Sequence, residues 1–418
     1  MRTSLSIAAL LAAAFLGNSF PARAQSAQSL PGCETAPAVR KILDEKLDPK
    51  ALDKMKLPER VALERQVPDD LIAKYPRELE PYQTLIRDAF VEDPAALPEL
   101  RDRFVKMARD DPNDPLALLL AGSVLRGKDT PESVRLLEAA KAKAPNFPWP
   151  FKELANDYFS GKIADQNKVK ENIESFFALC PASTDSSAQW LLVKDPALQP
   201  KVAVALRARL QTETDPKRLE DYETLWGLEF RARPPAEHDA LRAQLTQDLK
   251  RLATLNPKGD AEWQVFLIKG YKQSGASQET INTMEDALIR KYPHSNEAHE
   301  IVRARWDKAH KEPEDQGDAA AWAKYQKEYE EAVKGWIRNY PDDTFSQRYG
   351  WFDAIQGDDT ISEKDGIAAL DTFLQSVKNF DPPNFWLWKY LTAGQFLVEH
   401  HWEPARALEL LKEASVLN

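Results

Sequence analysis

The chain has 418 residues, of which 43% are hydrophobic and 29% charged, with 66 acids against 56 lysines and arginines. A formal charge of −10 without a basic stripe argues against nucleic acid or an anionic membrane surface as a partner. Only 15 glycines stand beside 29 prolines, and few runs alternate strictly between apolar and polar residues, so an all-α fold is expected.

Residues 1–24 read as an export signal. Arg2 gives the positive start, Ile7 to Leu16 an apolar run too short to span a bilayer, and Ala22-Arg-Ala24 the small-x-small cleavage pattern. Cleavage after Ala24 is expected, with an uncleaved anchor as the alternative; losing Arg2 and Arg23 and no acid takes the charge from −10 to −12. No later stretch offers some 18 uninterrupted apolar residues, so no membrane span is expected and the destination is the bacterial periplasm.

From Gln25 to Leu57 the N-terminal segment starts loose and turns helical around Ala38–Lys46, with Val39, Ile42, Leu43 and Leu47 on one side. Helices are expected next over Glu59–Tyr75 and Glu78–Phe90, then over Leu116–Leu125 and Thr130–Lys143. Thr130-Pro131-Glu132 reads as a capping hydroxyl, a proline in the first turn and an acid near the positive helix end.

The clearest unit lies between Pro145 and Pro181. Phe151, Leu154, Ala155 and Tyr158 share one helix face, Val169, Ile173 and Phe176 share another, and Pro181 stops the second helix. Two short amphipathic helices cannot cover both faces alone, so neighbouring copies must do it. In residue type and spacing this segment resembles a tetratricopeptide repeat, with an aromatic where a small residue is usual at Phe176 and a turn about two residues longer than the family norm. Prolines near helix ends at 76, 112, 145, 181, 216, 257, 293, 341 and 382 are separated by 36, 33, 36, 35, 41, 36, 48 and 41 residues, against a family period of about 34.

Beyond Pro181 the pattern weakens over Ala188–Lys194 and Pro196–Glu213. It returns in Asp221–Arg231, His238–Leu255, Trp263–Lys272, Gln278–Tyr292, Ala298–His310 and, after an acidic loop, Ala319–Tyr340. The last pairs are Phe345–Ile355 with Ser362–Val377, and Phe385–His400 with Pro404–Leu417. Phe385, Trp386, Trp388, Tyr390 and Phe396 place aromatics on more than one face of their helix. That suggests a helix buried all round, or a docking face formed by Trp386, Trp388 and Tyr390. The expected architecture is an α-solenoid of roughly 9–10 stacked helix pairs: residues 1–24 as signal, 25–57 as N-terminal segment, 58–216 and 217–418 as two repeat blocks.

Cys33 and Cys180 are the only cysteines. In a linear stack they would lie about four repeats apart, tens of ångströms at 8–10 Å per helix, against the ~7 Å a disulfide tolerates. Two unpaired thiols are expected; a bridge would require the N-terminal segment to fold back. Leu30-Pro-Gly-Cys33 also looks like a lipoprotein box, which leaves a lipid-anchored Cys33 as a lesser alternative.

No catalytic, cofactor or metal constellation stands out. His238, His294, His299, His310, His400 and His401 have no metal spacing and read as surface or capping residues, and no phosphate loop, nucleophile elbow or C-x-x-C is present. One binding hint remains. Lys152 and Asn156, beside Trp149, lie four apart on the first helix of the clearest repeat, a spacing at which some tetratricopeptide proteins grip a peptide's C-terminal carboxylate; the plain reading is a solvated face.

Local wording is similar to the N-terminal region of exported bacterial proteins that join tetratricopeptide-like repeats to a thioredoxin-like domain of the TlpA or redoxin type. It includes Phe147-Pro-Trp-Pro-Phe-Lys-Glu-Leu154, Phe177-Ala-Leu-Cys-Pro-Ala-Ser183 and Leu225-Trp-Gly-Leu-Glu-Phe230. The resemblance implies a protein or peptide partner, with a thioredoxin-like domain as one candidate. The Trp-Cys-x-x-Cys turn that carries that family's thiol chemistry is absent from this sequence, so disulfide reductase activity is not expected of these residues. Two functions follow: a non-catalytic periplasmic scaffold that binds a protein partner, or the partner-binding region of a thiol-disulfide oxidoreductase whose catalytic domain is not in this chain.

Overall fold

The computed structural model describes residues 30–159, 163–315, 317–341, 343, 349–358 and 360–417; the expected signal segment and cleavage site lie outside them. The chain is an all-α helical repeat solenoid in which each helix packs on its neighbours in sequence, and the described residues contain no strand. The first part holds α1 (Pro37–Lys46), α2 (Pro49–Leu52), α3 (Leu57–Lys74), α4 (Glu80–Val91), α5 (Leu97–Asp110), α6 (Pro115–Leu125) and α7 (Thr130–Lys143). Next come α8 (Trp149–Phe159), α9 (Gln166–Leu179), α10 (Ser186–Leu192), α11 (Gln199–Thr212), α12 (Pro216–Leu219), α13 (Asp221–Ala232) and α14 (His238–Leu255). The last part holds α15 (Ala261–Gln273), α16 (Gln278–Lys291), α17 (Asn296–Ala309), α18 (Ala319–Asn339), α19 (Trp351–Gln356), α20 (Glu363–Phe380), α21 (Trp386–Glu399) and α22 (Pro404–Leu417).

The prolines act through one recurring turn. Tyr75, Asp111, Ala144, Cys180, Asn256, Tyr292 and Tyr340 each close a helix with φ between −125° and −139° and ψ between 59° and 84°, and each precedes a proline. Proline disfavours the helical conformation for the residue before it, which is why the helix stops there. In every case the carbonyl of that residue accepts from the amide three positions on, at 2.9–3.2 Å. Pro216 and Pro382 depart from the pattern: Pro216 opens α12 behind the capping Asp215, and Pro382 precedes a single 3₁₀ turn. The helices are then restarted by short polar side chains. Asp114, Asp129, Asp165, Asp185, Asp260, Ser277, Ser295, Asp318 and Ser362 each accept a backbone N–H of the first turn. The cap before Pro131 is therefore Asp129, not Thr130, which already sits inside the helix.

One contiguous core runs from Ile72 to Leu267, across Pro216, and two further clusters continue it through α17–α18 and α19–α22. Helix α5 has no counterpart in the sequence reading; its buried stripe of Leu100, Phe104 and Ala108 is narrow and set among charges. Two helix pairs approach closely at glycine. A Cβ on Gly122 would lie 2.7 Å from Leu137 Cγ, and one on Gly394 would lie 2.7 Å from Leu411 Cγ, so α6 meets α7 as α21 meets α22.

Contacts are not confined to neighbours. Helix α20 meets α3, where Arg60 Nη2 donates to Phe380 O at 3.1 Å, so the row of hairpins curves until its last third touches its start. The N-terminal segment also folds back along the concave side, and Cys33 and Cys180 form a disulfide with Cα atoms 5.5 Å apart. The expectation of two free thiols is thereby corrected. Distance counted along the stack does not apply to a segment that folds back along the concave side of a curved one.

Two burial expectations also change. His299 is not a surface residue: it is 1% exposed, stacks on Tyr340 with centroids 4.7 Å apart, and its Nδ1 lies 2.8 Å from Asp343 Oδ2. Helix α21 is not buried all round, because Tyr390 and Phe396 enter the core while Trp388 is 70% exposed.

Candidate functional site

The concave side holds a cleft of about 1170 Å³. Helices α4, α6, α8 and α10 supply its floor and walls, and residues 33–35 of the N-terminal segment form one edge. A Pro turn precedes each of these inner helices, and Asp114 and Asp185 cap α6 and α10 alike, so equivalent faces point to one bore.

Sequence alone does not reveal the network that ties the inner helices together. Ser133 Oγ lies 2.8 Å from Gly122 O and 2.7 Å from Asp157 Oδ2, and its hydroxyl donates to one at a time. Arg126 donates to Asp157 Oδ1 at 2.6 Å, to Glu153 O at 3.1 Å and to the Glu153 carboxylate. Lys152 Nζ then sits 3.1 Å from both Glu153 Oε1 and Asp185 Oδ2, and Asp185 also caps α10. Burial alone would raise the Glu153 carboxyl; Lys152 and Arg126 outweigh it and hold the group down at about 2. Burial alone would likewise lower the Lys152 ammonium, yet Glu153 and Asp185 keep it above its ordinary range.

Lys152 is therefore not on a solvated face. It is 6% exposed, its charge is engaged by two carboxylates, and its ammonium lies 5.1 Å from the centroid of Trp149. Asn156 is half-buried on the cleft wall beside it. Trp149 is buried too, and its indole Nε1 donates to Gly32 O of the N-terminal segment at 2.9 Å. The structure thus brings Trp149, Lys152 and Asn156 to one cleft, with two of the three committed to partners within the chain.

What the cleft leaves open is aromatic. Trp190 is 53% exposed and packs edge-on against Phe159 at 4.2 Å, and Phe90 across the cleft is 41% exposed. At the strap edge Glu34 pairs with Arg218 at 2.6 Å and approaches Arg209 at 3.9 Å. The Arg218 hydrogen bond is the main reason the Glu34 carboxyl falls below its ordinary range. Trp190, Arg126, Asp185, Arg209 and Arg218 were missed because each is an ordinary surface residue type in sequence. The one signal available was an even cysteine count in an exported chain.

At the far end, Trp386, Trp388 and Tyr390 do not share a face. Tyr390 is 2% exposed, Trp386 is half-buried with Nε1 donating to Asp381 O at 2.7 Å, and Trp388 stands in solvent beside Phe385, itself 49% exposed. A second polar spot lies by α18 and α19, where burial pushes the Asp353 carboxyl up to about 6 against the opposing effects of Arg303 and Tyr329. Among the described residues no group of three or more His, Cys, Asp or Glu side chains is placed to hold a metal ion, and no helix is long and apolar enough to cross a membrane. Compared with models of known protein families and with curated proteins, the chain matches none.

Proposed function

We propose that the chain is a non-catalytic, exported scaffold of tetratricopeptide type that works in the bacterial periplasm and binds a protein or peptide partner in its concave cleft. The observation that carries this reading is exposed Trp190, packed on half-buried Phe159, with exposed Phe90 lining the same cleft, whose buried charges are already paired with one another. Exposed aromatics fixed on a rigid frame supply contact area at small entropic cost, and Trp is prominent among residues that dominate binding energy. A photo-crosslinking side chain at position 190 should trap a discrete partner in periplasm, whereas the same group at position 388 should not. Equal trapping at both positions, or none at either, counts against the cleft.

A second reading makes the chain the partner-binding region of a TlpA- or redoxin-like oxidoreductase whose catalytic domain lies elsewhere. The Cys33–Cys180 bridge favours it to the extent that a thiol partner would meet a disulfide on the cleft wall. Under both readings this chain alone reduces no insulin disulfide; turnover by the isolated chain would overturn both.

A further inference from the structure

The strap of residues 30–36 runs along one edge of the concave cleft, where Cys33, Glu34 and Thr35 line it. Leu30 packs against the main core and Pro31 is buried. Gly32 O accepts from Trp149 Nε1, Glu34 sits on Arg218 and Arg209, and Ala36 N donates to Glu78 Oε2 at 3.2 Å. The strap bends at Cys33 and Glu34, and so meets Trp149 of α8, Arg209 of α11 and Arg218 of α12. Apart from the disulfide, this is a weak hold: two hydrogen bonds, a part-exposed ion pair and one or two apolar contacts. Behind the strap, α1 stays anchored by Val39, packed with Val67 and Leu71 of α3 in a small core. Opening the bridge therefore frees the strap before it frees α1.

Resting on the reading of the cleft as a partner site, we propose that the strap is a built-in occupant latched by Cys33–Cys180. Reduction of that bridge then admits a partner segment of the same chemistry, an apolar residue followed four positions later by a carboxylate. The two sulfurs differ in access: Cys33 is exposed, whereas Cys180 is 1% exposed at the end of α9, and both residues line the cleft. A thiolate of a dithiol reductant attacks Cys33 Sγ, a bond forms between them, and the Cys33–Cys180 bond breaks with its electron pair leaving on Cys180 Sγ, which takes a proton. The reductant's second thiol attacks its own sulfur in the mixed disulfide and releases Cys33, which is protonated in turn. The protein gains two electrons and two protons, and the dithiol becomes a disulfide. Trp149, Arg209 and Arg218 are then open to a competitor of the strap.

The test uses the full chain, oxidised, reduced with dithiothreitol, and as Cys33→Ser/Cys180→Ser, with helicity followed by circular dichroism. The probe is a fluorescent peptide spanning Leu30 to Ala36 with serine in place of the cysteine, read by polarisation. Reduced chain and double variant should bind it roughly tenfold or more tighter than oxidised chain, and Arg218→Glu should remove most of that gain. Adding Glu34→Lys to the double variant repels the chain's own strap and should strengthen peptide binding further. Equal binding in both redox states, no binding by a reduced chain that keeps its helicity, or loss of helicity on reduction would each overturn the latch. Trapping through position 190 is read separately, so the partner site can stand while the latch falls.

Discussion

Glu64 gives the sharpest test of how α3 packs on α4. Its side chain turns into the interface, 9% exposed, and Oε2 has no hydrogen-bond partner among the described residues. Beside it a cavity of about 20 Å³, bounded by Leu85, Ala89 and Leu100, has room for about one water. Burial is the main reason its carboxyl rises from 4.5 to about 7; Asp88 and Glu92 push the same way, while Arg60 and Arg87 oppose. An acid whose pKa is higher in the fold than in the unfolded chain favours its protonated form in the fold. Its contribution is therefore intact below about pH 4.5 and is lost as the pH climbs through about 7. At 1.36 kcal/mol per pH unit the loss is capped at about 3 kcal/mol, and water in the adjoining cavity lowers this to roughly 1–3 kcal/mol. Glu64→Gln keeps the shape and never ionises. Urea denaturation should find it close to the parent at about pH 4 and more stable by that amount at about pH 8. Hydrogen exchange in α3 and α4 supplies the local readout, because a solenoid opens in parts. Equal stability at the higher pH, or a gain that does not change with pH, refutes the reasoning.

Glu153 should behave in the opposite sense: depressed to about 2, it stabilises the fold above the ordinary carboxyl range, and that contribution is lost as pH falls toward its folded value. Glu153→Gln should cost roughly 3–5 kcal/mol near neutrality in thermal or urea melts, a difference that shrinks in acid. Gly122→Ala forces a methyl to within 2.7 Å of Leu137 Cγ and should destabilise by roughly 1–3 kcal/mol, read by the urea midpoint. Iodoacetamide should label neither cysteine of the purified chain before reduction and both after reduction and unfolding, as counted by mass spectrometry. Arg60→Ala removes the hydrogen bond to Phe380 O and should loosen the contact of α3 with α20, seen as a larger radius of gyration in small-angle scattering; an unchanged radius would show that packing alone closes the turn.

The repeat pattern was legible because it is local. An X-Pro step ends a helix, a short polar side chain starts the next, and apolar residues three and four apart mark the covered face. Leu241, Leu245, Leu249 and Leu252, picked from spacing alone, are all within 4% of full burial. Helix α5 escaped because Leu100, Phe104 and Ala108 make too narrow a stripe among its charges. The site escaped for a different reason. Lys152 looks solvated on a helical wheel, but the carboxylates that bury it come from the same helix and from Asp185, more than thirty positions on. Nothing in a window of helical length reports an ion pair across two inner helices.

The same limit explains the bridge, and it bears on function. A stack of hairpins is nearly one-dimensional, so each element's environment follows from its sequence neighbours. That logic fails only where the stack curves enough for non-neighbours to meet. Here it fails at α3 with α20, where Lys50 of α2 reaches Glu262 and Glu297, and where the strap runs along the cleft edge to reach Trp149, Cys180 and Arg218. The strap's contacts with Trp149, Cys180, Arg209 and Arg218 are all with residues that line the cleft. A solenoid that needed only stability could leave Glu34 unpaired and lose little, since a part-exposed ion pair contributes at most about 1 kcal/mol. The Cys33–Cys180 cross-link stands at that edge, so under the proposed partner-binding role its reduction is the step expected to change access to the cleft.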